Sequence, residues 1–105
     1  MRIVTHFING EDEQTSSGSS DLFNPSTGSK IGEVLHASTA EIDCAVQAAI
    51  NALPLWSQTG LYHRSKLFLE ARHLYMAKRD ELIDFCVNEA GKTRSDAAAE
   101  VDKSV

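Results

Sequence analysis

The chain has no Lys/Arg cluster. Its ten basic residues are scattered among fifteen acidic ones, for a formal charge of −5. A polyanion such as a nucleic-acid backbone binds through a basic stripe, so nucleic acid is excluded as the main partner. No apolar run approaches the roughly twenty residues that span a bilayer, so no membrane partner is expected. The opening Met1-Arg2-Ile3-Val4-Thr5-His6 lacks the apolar core of a secretory signal, and a cytoplasmic chain is the expectation. Cysteine is scarce. Cys44 and Cys86 stand far apart, which suggests free thiols in a reducing compartment and gives neither of them metal-ligand spacing. The six glycines form no Gly-x-Gly-x-x-Gly or Gly-x-x-x-x-Gly pattern, so no phosphate-cradling loop is present. There is no internal repeat.

What is present is ordinary globular material. With 42% hydrophobic and 24% charged residues, 105 residues make one domain at most. Such a chain can bury about 60–70% of its unfolded surface.

Ile3 to Ile8 mixes β-branched and aromatic residues and reads as a strand. Asn9-Gly10 is a turn signal. Residues 11–21 are acidic, rich in Ser and Gly, and without an apolar side chain, so they read as a mobile loop. Leu22-Phe23 begins a second strand, ended by the turn Asn24-Pro25-Ser26-Thr27-Gly28. Lys30 to Leu35 is a third extended run, with Ile31 and Leu35 on one face and Val34 on the other. Residues 1–36 are thus expected to form a short antiparallel β unit carrying the acidic loop 11–21.

Residues 37–105 read as four helices. Ser38 and Glu41 form a capping-box pair. Ile42, Ala45, Val46, Ala49, Ile50 and Leu53 then recur at helical spacing. Pro54 is expected to end this helix, and Trp56 to anchor the core. Arg64, Leu67, Phe68, Ala71, Leu74 and Tyr75 mark a second amphipathic face. Asp80 can cap a third helix, with Leu82, Ile83, Cys86, Val87 and Ala90 turned inward. Gly91 is expected to close it in the left-handed conformation. Thr93, answered by Asp96, caps a fourth helix running to Val105 with no stop signal, as expected of a piece of something longer.

Five stretches carry a resemblance in order. His6-Phe7-Ile8-Asn9-Gly10, Phe23-Asn24-Pro25-Ser26-Thr27-Gly28, Asp43-Cys44-Ala45-Val46-Gln47-Ala48-Ala49, Trp56 with Arg64 and Leu67, and Glu89-Ala90-Gly91-Lys92 followed by Ala97 and Glu100-Val101 resemble the N-terminal part of the NAD(P)-dependent aldehyde dehydrogenases. Ala90 departs from the family's commoner Thr. Gly91-Lys92-Thr93 with Asp96-Ala97, and Trp56-Ser57, lean toward the methylmalonate-semialdehyde dehydrogenase-like branch. The resemblance implies a parent of α/β class with the aldehyde dehydrogenase fold, of which this mostly helical piece is the first part of the cofactor-binding domain. It implies NAD or NADP in the parent, and as partners the remainder of the dehydrogenase chain and further copies in a homo-oligomer.

The family's chemistry needs a cysteine nucleophile, a glutamate base, an amide oxyanion hole and a dinucleotide fold. The resemblance places all of these beyond the equivalent of Val105. No catalytic, cofactor-binding or metal residue is therefore assigned here, no cofactor is expected for this chain alone, and the chain alone is expected to be inactive. Cys44 and Cys86 lie in helix patterns without an evident basic neighbour and read as core or surface thiols. Lys92 reads as a solvated lysine. In some relatives a carboxylate near Glu100 and carbonyls before the Asn-Pro turn hold a monovalent ion; here Glu100 reads as a helix-surface acid. His6, His36, His63 and His73 sit on separate elements, and only the last two share a helix, at poor metal spacing. The alternative is a free-standing helical interaction module without catalysis.

Overall fold

A computed structural model describes residues 1–104. Among these residues five strands precede four helices, and the residues group into two compact units, 1–23 with 30–58, and 24–29 with 59–104.

In the first unit, the stretch expected as one strand is divided at Thr5 into β1 (Arg2–Val4) and β2 (His6–Ile8). The two halves join different sheets. β2 pairs antiparallel with β3 (Glu11–Glu13) across Asn9-Gly10, whose φ of 53° and 84° give the two positive values that a tight two-residue hairpin turn requires. The loop expected at 11–21 is therefore corrected: it supplies β3 and the first part of β4 (Gly18–Phe23). β3 has no apolar residue because both of its faces are exposed. Its conformation comes from the turn and the ladder, which leave no hydrophobic alternation to read.

β4 pairs antiparallel with β5 (Lys30–His36), and β5 pairs parallel with β1, giving the order β1-β5-β4. The β unit is thus mixed, antiparallel in two of its pairings and parallel in the third. β5 lies at the centre, with β1 and β4 as the edges. Gly32 permits the parallel pairing: a Cβ there would stand 2.5 Å from the Arg2 carbonyl oxygen.

α1 (Thr39–Gln58) opens with the expected capping box. The Ser38 N–H donates to Glu41 Oε2 at 2.6 Å, and the Ala40 N–H to Ser38 Oγ at 3.2 Å. Pro54 does not end this helix; it lies inside it. Proline removes one ladder donor and crowds the carbonyl four residues back. On an exposed helix that carbonyl, of Ile50, can still be hydrated. The next turn closes with Ser57 Oγ donating to the Pro54 carbonyl at 3.0 Å. No residue of α1 is buried, and Trp56, expected as a core anchor, is 40% exposed.

The second unit holds α2 (Leu61–Ala77), α3 (Arg79–Ala90) and α4 (Arg94–Lys103). Lys78 alone separates α2 from α3, and its N–H is shared between the Leu74 and Tyr75 carbonyls. That leaves no loop for Asp80 to cap. Asp80 instead lies in the first turn of α3, where an acid favours the positive end of the helix dipole. The core is Ile83, Ala97 and Val101, with Tyr75, Leu82, Cys86, Val87 and Ala98 packed against it. Ala97, fully buried, lets α4 approach α3 closely. Of the inward set expected on α3, Ala90 is exposed. α2 buries no residue; its apolar residues lie on several sides, not on one stripe, and Phe68 is 68% exposed.

Candidate functional site

The junction of α3 and α4 is the most fully determined part of the chain. Gly91 takes φ 66° and ψ 23°, and its N–H reaches the Val87 carbonyl at 3.1 Å, the expected left-handed stop. A second constraint was not legible beforehand. A Cβ on Gly91 would stand 2.9 Å from Pro25 Cγ and 3.2 Å from Ser26 Oγ. The Asn24–Ser29 turn is held by Gly28 N–H to the Asn24 carbonyl at 2.8 Å and by Ser26 N–H to Asn24 Oδ1 at 2.9 Å. Asn24 Nδ2 also meets Asn88 Oδ1 at 3.4 Å. Thr93 then caps α4: the Asp96 N–H donates to Thr93 Oγ1 at 3.2 Å, and that hydroxyl donates to Asp96 Oδ2 at 2.8 Å.

Around this junction ion pairs tie α3 to α4. Arg79 holds Asp102 through two N–H donors at 2.7 and 2.9 Å, and Arg94 pairs with Asp84 and reaches Asp80. Hydrogen bonding to Arg79 holds the Asp102 carboxyl below its usual range. Lys92, expected as a solvated lysine, pairs with Glu100, expected as a surface acid. Its ammonium is held up by the hydrogen bond to Glu100 first, with the charges of Glu100, Cys86 and Asp96 adding. Cys86 is half-buried against the core, whereas Cys44 is exposed.

The other candidates are dispersed. His36 Nε2 lies 2.6 Å from Ser20 Oγ on the β4–β5 hairpin, and His63 stacks edge-on with Tyr62 in α2. Among the described residues no group of three His, Cys, Asp or Glu side chains could hold a metal. No helix among them is long and apolar enough to cross a membrane.

Shallow concave surfaces lie on the first unit and beside α4. A shallow groove of about 300 Å³ in the first unit is lined by Phe7, Ile8, Asn9, Ala45, Ala48, Ala49 and Ala52. An adjoining depression of about 440 Å³ is rimmed by Glu11 and Glu13, which would repel a pyrophosphate. A third, of about 330 Å³ beside α4, contains Lys92 and Lys103 but also Asp96 and Glu100. The Lys92–Glu100 and Arg79–Asp102 pairs span eight and twenty-three residues of sequence, and no periodicity signals the second.

The sequence model of the aldehyde dehydrogenase family matches residues 12–105. A crystal structure described as a methylmalonate-semialdehyde dehydrogenase of Sinorhizobium meliloti complexed with NAD is 36% identical, with a TM-score of 0.88 over 94% of this chain and 20% of that one. The methylmalonate-semialdehyde dehydrogenase of Oceanimonas doudoroffii is 30% identical, with a TM-score of 0.92 over 97% of this chain and 21% of that one. The malonate-semialdehyde dehydrogenase of Pseudomonas aeruginosa is 32% identical over 100% of this chain and 21% of its own length. The chain spans about a fifth of the length of these relatives.

Proposed function

We propose that this chain, which belongs to the aldehyde dehydrogenase family, is the N-terminal segment of an NAD(P)-dependent semialdehyde dehydrogenase and contributes scaffold, not chemistry. Its fold is that of part of the aldehyde dehydrogenase fold. The parent would oxidise a small semialdehyde to an acid or acyl-CoA through a cysteine thiohemiacetal, with NAD or NADP accepting hydride. The naming of several relatives as malonate- or methylmalonate-semialdehyde dehydrogenases supports the substrate class.

The observation that carries the scaffold reading is the balance of burial. Among the described residues the buried core is three side chains, while Leu55 and Leu61 are 80% and 82% exposed and neither α1 nor α2 buries any residue. A helix apolar on several sides belongs inside a larger protein. The remainder of the dehydrogenase chain is the cover these faces fit. Within the parent, the residues of this chain set the α3–α4 junction and support the cofactor-binding domain; none touches reacting atoms.

The test is a chimaera in which this chain replaces the matching fifth of the Pseudomonas aeruginosa enzyme. The chimaera is expected to oxidise malonate semialdehyde, and the 105-residue chain alone to give no NAD(P)H. A folded, assembled chimaera without activity would overturn the semialdehyde reading. Turnover by the chain alone that vanishes in Cys86→Ser would overturn the scaffold reading.

A further inference from the structure

The formal charge is unevenly shared. The first unit has seven Asp and Glu against two Lys and Arg, so it carries the entire −5; the second has eight of each. The acids of the first unit include Glu11, Asp12 and Glu13 on the β2–β3 hairpin and Glu41 and Asp43 at the start of α1. Beside the hairpin acids lies the apolar groove floored by Phe7, Ile8 and the alanines of α1, and Phe7 is 73% exposed. The smaller depression next to it shares Ile8, Glu13 and Cys44 with the acid-rimmed one. This surface pairs an apolar floor with a negative rim, so its complement is an apolar helix with net positive charge.

Such a helix is present in the chain itself. α2 carries Arg64, Lys66 and Arg72 against Glu70 alone. Leu61, Phe68 and Leu69, at spacings of seven and one, share one face and are all more than half exposed. We infer that the 105-residue chain self-associates head to tail, with α2 of one copy seated in the acid-rimmed groove between β2–β3 and α1 of a second copy. Face-to-face pairing of two grooves would oppose two negative rims, so the contact is heterologous and each copy keeps one groove and one α2 free for the next. Growth then continues into rings or filaments. In the proposed parent the same apolar surfaces would be covered by the remainder of the chain, so this association is a property of the 105-residue chain, and its failure leaves the dehydrogenase reading intact.

Sedimentation of three forms tests this. The wild-type chain is expected to exceed its 11.5 kDa monomer mass at micromolar concentration. Moving from low to near-molar salt, which shortens the screening length severalfold, is expected to weaken association about tenfold. Ala45→Gln/Ala49→Gln fills the groove without changing charge, and Phe68→Glu spoils α2; all three positions are exposed, and circular dichroism confirms that each variant keeps its helices. Each variant alone is expected to be monomeric. Mixed in equal amounts, they are expected to form a one-to-one dimer that grows no further, because one retains an intact α2 and the other an intact groove. A monomeric wild type, undiminished association of either variant, or a mixture that stays monomeric would each overturn the inference.

Discussion

The two units are built from similar lengths of chain and reach opposite results. The first spends a twenty-residue helix and five strands without burying one large side chain; among its residues only Gly32 is buried. The second makes a small core from α3 and α4, closes their junction with a glycine stop, a threonine cap and a docked turn, and ties the helices with ion pairs. Capping signals are equally good in both: Ser38–Glu41 and Thr93–Asp96 are both satisfied. Local signals therefore form helices, but they do not say whether a helix finds a neighbour. α3 and α4 find each other in this chain, whereas α1 and α2 present surface.

The comparison would break most visibly at the core. Ile83→Ala removes a side chain only 1% exposed and is expected to cost about 2–4 kcal/mol. Ile50→Ala, on the uncovered face of α1, is expected to stay within about 0.5 kcal/mol. Equal effects in urea denaturation would show that the first unit is packed as well as the second.

Next in size is the glycine stop. Gly91→Val combines positive φ with collision against Pro25 and is expected to cost about 2 kcal/mol or more. Gly10→Ala has positive φ but open space around it, and should cost about 1 kcal/mol. The difference measures the docked turn. An unchanged denaturation midpoint for Gly91→Val would show that α3 does not end there.

A smaller effect sharpens the capping argument. Thr93→Ala loses the acceptor for the Asp96 N–H and should cost about 1 kcal/mol. If amide exchange in the first turn of α4 does not quicken in that variant, the cap is not holding the helix.

The smallest expected effect is in the pH dependence. Asp102 is hydrogen-bonded to Arg79, so its folded pKa lies below the unfolded one. The pair's contribution is fully present above the usual carboxylate range and is lost as pH falls through the depressed folded value. Both partners are substantially exposed, so screening by solvent keeps the effect modest. Asp102→Asn is expected to lower stability slightly at neutral pH and to converge with wild type below the depressed value, so that this acid limb is flatter. An acid limb identical to wild type would remove Arg79–Asp102 from the account.

The resemblance to the aldehyde dehydrogenases was legible in short ordered motifs, and the family match confirms it. The α3–α4 junction was legible too, because its signals are local: Gly91, Thr93 and Asp96 act within a few residues. The acidic strand β3 was not, since nothing in Glu11–Glu13 alternates and its pairing is supplied by the turn before it. Pro54 misled because a proline costs one hydrogen bond and some crowding, which an exposed helix can absorb. Trp56 misled because a large aromatic goes to a core only where a core exists to receive it. By itself, then, the sequence determined the helices, the turns, the caps and the family, all of which depend on dihedral preferences and hydrogen bonds between near neighbours. Tertiary structure alone decided that β1 runs parallel to β5, that Pro25 lies over Gly91, that Arg79 holds Asp102, and which apolar faces stay open. Those outcomes join residues far apart in the chain, and their energy exists only once the chain has brought the partners together.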